Sequence, residues 1–421
     1  MIYVVQPGDT VESIAAEFGV SRSRLIFDNQ LPADGALVAG QALLVLVPAV
    51  TAEVLPGDTI ESVASRYGIS TLELLRNNPY LVVSPLIVGE TLAISYTQQG
   101  DASIYALGYA YPFIQPDLLR ETLPYLNALY CFSYGFTQTG ELIREQNDYL
   151  LEQATLFGAQ SVLVLTPRTQ GEAFNNRLIN DLIVDASVRS RLIGNLIEEM
   201  LAKGYDGLDM DFEYIDAANR DGYSELIRQL ADALHAQGLE LSVALAPKTY
   251  REQPGQLYEG LDYALLGRYA DRVLLMTYEW GYTYGPPMAV APLPNVRSVV
   301  EYGLTEIPAA KICLGIPNYG YDWALPYQRG TTAAVTIGNT EAVDIARRFG
   351  AQIRYDEQAQ SPFFEYTADG AAHIVWFEDV RSISAKLGLV TEYGLLGAGW
   401  WSLMRPFRAN WLLLDSLFRL R

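Results

Sequence analysis

Hydrophobic and polar residues follow one pattern in the first hundred residues and another in the rest of the chain. Residues 5–10 read VQPGDT and residues 54–59 read VLPGDT, an offset of 49 that also aligns Gly40 with Gly89. After each turn, apolar residues recur at helical spacing. Each copy therefore predicts a strand, a Pro-Gly-Asp-Thr turn, two helices and a closing strand, which is a small internal repeat.

From about residue 101, short apolar or aromatic runs alternate with helical segments such as 189–203 and 222–237. This alternation predicts a closed parallel β/α barrel of eight strands, an α/β fold. A doubly wound open sheet is the alternative, but the glycine-rich nucleotide turn after its first strand is absent. The stretch 325–380 is long for one crossover and predicts an inserted α/β subdomain. The candidate strands are Ile104–Tyr111, Ala128–Tyr134, Ser161–Leu165, Gly207–Phe212, Leu241–Ala246, Arg272–Tyr278, Ile312–Ile316 and Leu396–Leu403.

Charge and composition exclude several classes of function. The net charge of −20 argues against binding to nucleic acid or to an anionic membrane surface, because both need a basic surplus. His235 and His373 have no metal-ligand spacing, and Cys131 and Cys313 lie in apolar runs, so we expect neither a metal nor a cofactor. No apolar stretch reaches the length of a membrane span, and the N-terminus MIYVVQPGDT predicts no standard secretory signal.

The segment Gly204–Glu213, GYDGLDMDFE, carries the most informative chemistry. Asp209, Asp211 and Glu213 alternate with apolar residues, so on a strand the three carboxylates share one face and point into the barrel. Catalysis in such barrels lies at the carboxyl ends of the strands, where Glu213 falls. A calcium loop, a charged edge strand or an ion-pair network are the structural alternatives. Repulsion among buried acids raises a carboxyl pKa, as a general acid requires.

The pattern Asp206-x-x-Asp209-x-Asp211-x-Glu213 resembles the DxxDxDxE motif of glycoside hydrolase family 18, the chitinase family. Met276-Thr277-Tyr278 resembles that family's sixth-strand motif, and Gly315-Ile316-Pro317 with Tyr319-Gly320 its seventh. Trp401 matches the tryptophan that closes the eighth strand. The resemblance covers about residues 103 to 421. It departs at Glu279, where the family has aspartate, and at SVLVLTP, where the third-strand SxGG motif is missing.

The resemblance implies a retaining mechanism in which the substrate's own acetamido group attacks. Glu213 would donate the proton, Asp211 would orient the acetamido group and Asp209 would tune Asp211. Tyr278 would hydrogen-bond to the acetamido oxygen. The residues expected to contact substrate are Trp401, as the floor of the sugar pocket, with Tyr111, Glu279 and Asp206.

The two N-terminal repeats resemble LysM domains, which bind glycans containing N-acetylglucosamine. In that family the groove lies between the first turn and the loop after the second helix. The second repeat, with Asn77-Asn78-Pro79, fits the family better than the first, which has Asp28-Asn29-Gln30. The residues implied in glycan binding are Gly8, Asp9, Thr10, Asn29, Gly57, Asp58, Thr59, Asn78 and Pro79.

The expected domains are residues 1–48, 50–97 and 101–421: two glycan-binding units and a catalytic barrel. YAYPFI at 109–114 and PFRANWLLL at 406–414 resemble the spore-germination branch, which implies peptidoglycan of the spore cortex as substrate. Chitin hydrolysis, a silent lectin and a spore-coat structural protein remain alternatives. We expect a monomer at the spore or cell wall, with the barrel active alone on soluble fragments and the repeats anchoring it to insoluble wall.

Overall fold

The computed structural model describes residues 1–169 and 175–420. Its strands in chain order are β1 Ile2–Val4, β2 Ala42–Leu44, β3 Pro48–Glu53, β4 Thr91–Tyr96, β5 Ser103–Ala110, β6 Ala128–Phe136, β7 Leu142–Ile143, β8 Gln160–Leu165, β9 Gly207–Met210, β10 Glu240–Leu245, β11 Arg272–Leu275, β12 Ile312–Pro317, β13 Gly320–Leu325, β14 Val335–Ile337, β15 Arg354–Asp356, β16 Ser361–Ala368, β17 Ala371–Trp376, β18 Gly397–Trp401 and β19 Arg419–Leu420.

The helices connect these strands. They are α1 Val11–Phe18, α2 Arg22–Asp28, α3 Ile60–Tyr67, α4 Thr71–Asn77, α5 Pro116–Thr122, α6 Asp148–Phe157, α7 Arg177–Val184, α8 Ala186–Lys203, α9 Arg220–His235, α10 Tyr263–Tyr269, α11 Leu293–Glu306, α12 Asn339–Arg348, α13 Val380–Tyr393 and α14 Arg408–Leu417.

Each N-terminal repeat is two helices against a two-stranded antiparallel sheet, β1 with β2 and β3 with β4. The turn chemistry explains where the helices begin. Thr10 accepts a hydrogen bond from Ser13 N at 3.0 Å while Ser13 Oγ accepts one from Thr10 N at 3.1 Å. Thr59 and Ser62 repeat this reciprocal cap in the second unit. Such a capping box satisfies backbone donors that the first helical turn leaves free.

Eight parallel strands close into a barrel in the order β5, β6, β8, β9, β10, β11, β12, β18 and back to β5. The predicted closure is therefore confirmed, and the open-sheet alternative is wrong, because β5 pairs with β18 as well as with β6. Each predicted strand has a counterpart, but β9 ends at Met210, before the predicted Phe212, and β11 ends at Leu275, before the predicted Tyr278. Leu208, Met210 and Phe212 pack outward in the layer between strands and helices. A separate set of residues, including Tyr109, Tyr130 and Leu274, fills the interior.

The inserted subdomain follows β12 and begins at Gly320, a few residues before the predicted stretch. Its five strands form an antiparallel sheet in the order β14, β13, β17, β16, β15, and α12 covers one face. Since β13 starts three residues after the seventh barrel strand ends, the insertion stands at the catalytic end of the barrel.

Both repeats dock directly on the barrel. Arg408, at the start of α14, donates from its backbone N to Gln30 Oε1 at 2.7 Å and from its guanidinium to Phe27 O at 2.7 Å. In the second repeat, the Arg76 guanidinium forms an ion pair with Asp415 at 2.8 Å, and the Arg76 carbonyl accepts a hydrogen bond from Tyr125 OH. Little free chain separates β4 from β5, so the repeats and the barrel form one packed body.

Within residues 1–169 and 175–420, no helix is long and apolar enough to cross a membrane. The same residues contain no group of three His, Cys, Asp or Glu side chains that could hold a metal ion.

Candidate active site

A cavity of about 190 Å³ opens at the carboxyl ends of the barrel strands. It shares Tyr278 and Glu279 with a neighbouring cavity of about 140 Å³, and Tyr111 and Trp401 with another of about 390 Å³. The three form one groove across the barrel mouth. The central cavity is lined by Tyr109, Tyr111, Phe132, Asp211, Glu213, Ala244, Leu274, Met276, Tyr278, Glu279 and Trp401.

Asp209 is the deepest of the three acids on β9 and its extension. It is fully buried and accepts hydrogen bonds from Tyr109 OH at 2.9 Å and from Ser242 Oγ at 2.6 Å. Burial raises its pKa to about 6, although these two donors and the charge of Arg272 oppose that rise. Asp209 therefore exchanges its proton near neutral pH.

Asp211 and Glu213 follow on the same face, at the cavity. Asp211 is 8% exposed, and its Oδ1 has no hydrogen-bond partner among the described residues. Burial, followed by the charges of Glu213 and Asp209, raises the pKa of Asp211 well above its usual range. Burial and the charge of Glu279 raise the pKa of Glu213. A carboxyl that keeps its proton toward neutral pH beside an open groove can act as a general acid.

Glu279 lies across the cavity from this acidic strand and follows β11. Its carboxylate accepts hydrogen bonds from Tyr319 and, at 3.0 Å, from Tyr321, both at the start of the inserted subdomain. Its backbone has a φ of 68°, which is uncommon for a residue with a side chain. Partial loss of solvent raises its pKa, and the two phenol donors oppose that rise. The strained backbone and the paired tyrosines together aim one carboxylate into the groove.

Tyr278 lines the central cavity together with the acids, and its position depends on a glycine of the next strand. Burial and then the charges of Asp211 and Glu213 raise the pKa of Tyr278 well above its usual value, so it remains a donor. A Cβ at Gly315 would come within 2.9 Å of the Tyr278 ring and 2.4 Å of Leu275 O. Only glycine therefore lets the ring lie against this strand.

Aromatic rings form one wall of the central cavity. Phe132 stands 4.9 Å from both Tyr111 and Trp401, measured between ring centroids, and Tyr109 stands 5.6 Å from Trp401. Such rings present flat apolar faces with a polar edge, which suits a ligand that is apolar on one face and hydroxylated around its rim.

Of the residues predicted in the barrel, Glu213, Asp211, Tyr278, Tyr111, Glu279 and Trp401 line the central cavity, and Asp209 lies beneath it. Asp206 does not. It precedes β9 at the opposite end of the barrel, where its carboxylate accepts a hydrogen bond from Ser161 N at 2.7 Å. The expected contact between Asp206 and substrate is wrong, because a motif spanning a strand has one residue at each end of it.

The sequence did not identify Tyr321 as part of the site. Tyr319 and Tyr321 alternate along one strand, so their hydroxyls can reach the same carboxylate. That alternation was the available signal. Trp280, Tyr258 and Arg405 also line the groove and were not predicted.

The residues predicted for glycan binding in the repeats are largely engaged within the repeats. Asn29 donates to Leu44 O at 2.8 Å and accepts from Leu44 N at 2.7 Å, so its amide joins the end of α2 to β2. Asn78, fully buried, makes the same pair of bonds with Ala93. Asn78 is therefore not accessible to a ligand, which departs from the prediction, and Pro79 is buried beside it. Asn29 is only partly buried, and its contact with a glycan stays a prediction.

The turn residues are placed differently. Gly8 and Gly57 have φ values of 95° and 86°, a conformation that favours glycine. Asp9 and Asp58 accept from the backbone N of Gln6 and Leu55 at 2.7 and 2.8 Å. Thr10 and Thr59 cap the helices. These turns remain at the surface, and their contact with a glycan stays a prediction.

Comparisons with known proteins agree with this geometry. The family model described as "Glycosyl hydrolases family 18" matches residues 171–405, and the LysM domain model matches 3–45 and 52–95. A cortical fragment-lytic enzyme of Bacillus subtilis is 42% identical over 99% of this chain and 98% of its own. The crystal structure of the Bacillus cereus spore cortex-lytic enzyme SleL, 32% identical, covers 100% of this chain and 98% of that one with a TM-score of 0.85. A chitinase from Chromobacterium violaceum, 26% identical, covers 75% of this chain and all of that one with a TM-score of 0.69.

Proposed function

Since the chain belongs to glycosyl hydrolase family 18 and carries two LysM domains, it is a glycoside hydrolase, and we propose that it cleaves N-acetylglucosaminyl bonds in bacterial peptidoglycan. The substrate proposed is spore cortex or its fragments, as the names of its full-length relatives suggest. The enzyme would act at the spore or cell wall, as a monomer.

One observation supports the proposed chemistry: the Glu213 side chain faces an open groove, its pKa is raised, and the buried acids Asp211 and Asp209 precede it in the chain. Glu213 donates its proton to the glycosidic oxygen as the bond to the anomeric carbon breaks. The substrate's acetamido oxygen attacks that carbon from the other side and forms a cyclic oxazolinium ion. Glu213 then takes a proton from water, which opens the ring. Two inversions leave the anomeric configuration retained.

The acids around Glu213 suit this route better than a protein nucleophile. Asp211 and Glu213 both follow the end of β9 and line the same cavity, so Asp211 supports the acetamido group and balances the charge of the cation rather than attacking its far side. Glu279 is the other carboxylate in the cavity, but Tyr319 and Tyr321 occupy its oxygens. Tyr278 is placed to hydrogen-bond to the acetamido oxygen.

The decisive test is Glu213→Gln, which keeps the shape of the side chain and removes the acid. Turnover of cortex muropeptides should fall by at least about 10²- to 10⁴-fold, the usual contribution of acid–base catalysis, with glycan binding kept. Retention of more than about a tenth of wild-type activity, above that range, would exclude Glu213 as the acid.

The mechanism has its own test. A thiazoline analogue of N-acetylglucosamine copies the cyclic intermediate and should inhibit competitively. Early products followed by NMR should keep the anomeric configuration. A covalent glycosyl adduct on Asp211 or Glu279, or an inverted product, would overturn substrate assistance while leaving the hydrolase assignment intact.

Chitin is the second candidate substrate, because the aromatic wall and the acetamido chemistry suit any N-acetylglucosamine polymer and a chitinase shares the fold. Product analysis on cortex muropeptides and on chitin oligomers, at matched enzyme concentration, separates the two. Faster turnover of chitin oligomers would reverse the proposed preference.

A further inference from the structure

The two repeats use one equivalent position in different ways. At the offset of 49, Val38-Ala39-Gly40 corresponds to Ile87-Val88-Gly89. The backbone is the same in both, with φ values of 84° at Gly40 and 86° at Gly89. Val38 is 6% exposed, whereas Ile87 is 65% exposed. A position that the repeat leaves in solvent is therefore covered only in the first copy.

The inserted subdomain of the barrel covers it. Ala39 O accepts from Ile353 N of the subdomain at 3.0 Å, and Gly40 O accepts from Arg381 Nη2, at the start of the barrel helix α13, at 3.2 Å. A Cβ at Gly40 would stand 1.8 Å from Ile353 O, while a Cβ at Gly89 would meet nothing within 4 Å. Val38 joins the core of the subdomain, with Ile337, Ala342, Ala346, Ile353, Phe364, Val375 and Phe377.

Through Ile337, this core meets the start of β13, where the tyrosines of the active site lie. Ile337 stands opposite Gly320 in the register of β13 with β14. Gly320 separates Tyr319 from Tyr321, whose hydroxyls both hold Glu279. Val38 and Ile337 thus belong to one packed core, and that core reaches Gly320, the residue between the two tyrosines that donate to Glu279.

We propose that Val38–Gly40 of the first repeat is a positioning element for catalysis, which seats the inserted subdomain so that Tyr319 and Tyr321 hold Glu279 in the groove. On this proposal, the barrel without the first repeat loses part of its activity even on soluble fragments, which departs from the expectation drawn from the sequence. The second repeat docks elsewhere, through Arg76 and Asp415, and its equivalent edge is free. The inference rests on the proposed role of Glu279 beside Glu213.

The repeat supplies a matched pair of variants in the full chain, Gly40→Ala and Gly89→Ala. Both place alanine at the same positive φ, so both carry the same backbone strain. Only Gly40→Ala pushes against Ile353. Its kcat/KM on a soluble muropeptide should fall roughly 2- to 30-fold, the range for residues that influence a site without touching its ligand. Gly89→Ala should match the wild type.

The pH profile distinguishes positioning from simple destabilisation. Asp211, Glu279 and Tyr278 surround Glu213, and the charge of Glu279 helps keep Glu213 protonated. If Gly40→Ala loosens the tyrosines, Glu279 moves away or binds a proton, and the basic limb of kcat/KM moves to lower pH. If Gly40→Ala lowers only the melting temperature, or if both variants behave alike, the proposal is refuted.

If Gly40→Ala does not fold, Val38→Ala can be compared with Ile87→Ala, because these substitutions disturb the same two positions less. Val38→Ala should lower kcat/KM and Ile87→Ala should not. Val38→Ile should keep the wild-type kcat/KM. Glu213→Gln and Glu279→Gln keep the two proposals apart. Loss of activity in Glu213→Gln with a wild-type limb in Gly40→Ala would refute the positioning role alone. An active Glu213→Gln would refute the proposed function itself.

Discussion

Replacing Tyr109 with phenylalanine removes one of the two donors that hold the Asp209 carboxylate inside the barrel. The pKa of Asp209 in the folded protein, about 6, exceeds the ordinary aspartate value of about 3.9. The folded protein therefore binds this proton more readily than the unfolded chain. About 3 kcal/mol of stability is present below pH 4 and is lost as the pH rises through 6.

The cost of Tyr109→Phe should follow the same titration. At pH 8 Asp209 is ionised, and the lost bond is to a charged group, worth about 1.5–3 kcal/mol. At pH 5 Asp209 is mostly protonated, and a neutral bond is worth about 0.5–1.5 kcal/mol. The variant should thus be about 1–2 kcal/mol more destabilised at pH 8 than at pH 5.

Guanidinium unfolding of the wild type and the variant at both pH values measures this difference. Tyr105→Phe is the matched control, because it removes a phenol hydroxyl from the same strand, β5, that donates to the uncharged Gln160 Oε1 at 2.7 Å and not to Asp209. Its cost should be independent of pH. Equal destabilisation of Tyr109→Phe at pH 5 and pH 8 would show that Asp209 does not carry the charge assigned to it.

Three further outcomes follow from the site and its support. Glu279→Gln should move the basic limb of the kcat/KM profile to lower pH, because it removes a charge that raises the pKa of Glu213. A pH–rate profile on a soluble substrate measures this shift, and an unmoved limb would contradict the interaction between Glu279 and Glu213. Arg405→Gln should lower kcat/KM roughly tenfold for oligosaccharides that carry muramic acid carboxylates, the loss expected for one hydrogen bond to a charged group, and should leave kcat/KM for chitin oligomers unchanged. The reason is that Arg405 is the one cation among the described residues that line the groove. Equal losses on both substrates would argue against a contact between Arg405 and the carboxylate. Lys386→Met should cost about 3–5 kcal/mol of unfolding free energy, because it leaves Glu378, fully buried and 2.8 Å from the amine, without its partner; in the double variant with Glu378→Gln, stability should partly return.

The positions of the three acids along the fourth barrel strand and its extension could be predicted from the sequence, but the hydrogen bonds that hold Glu279 could not. Asp209, Asp211 and Glu213 share a face because alternation along an extended segment is a local property. The bond from Tyr321 to Glu279 joins residues 42 positions apart through an inserted sheet. No local pattern encodes the strand order of that sheet.

The repeats show the same limit in another form. The sequence marked Asn78 as a ligand residue, and the structure uses its amide to join α4 to β4. A buried amide that links two elements and a surface amide that binds a sugar look alike in a motif. Which one is present depends on burial, and burial depends on the whole packed unit.

The direct docking of the repeats also determines how the enzyme can work on a solid. A flexible tether lets a catalytic domain sample every bond within its reach, and its effective concentration falls as the tether lengthens. Here Arg408 and Arg76 fasten both repeats to the barrel, and no such tether intervenes. Whatever surface the repeats grip, the groove meets that surface at one distance and one angle. Binding by the repeats would then favour cleavage only where the spacing of the glycan strands equals the distance between the repeats and the groove. The enzyme would be selective for the arrangement of the strands as well as for the bond that it cleaves.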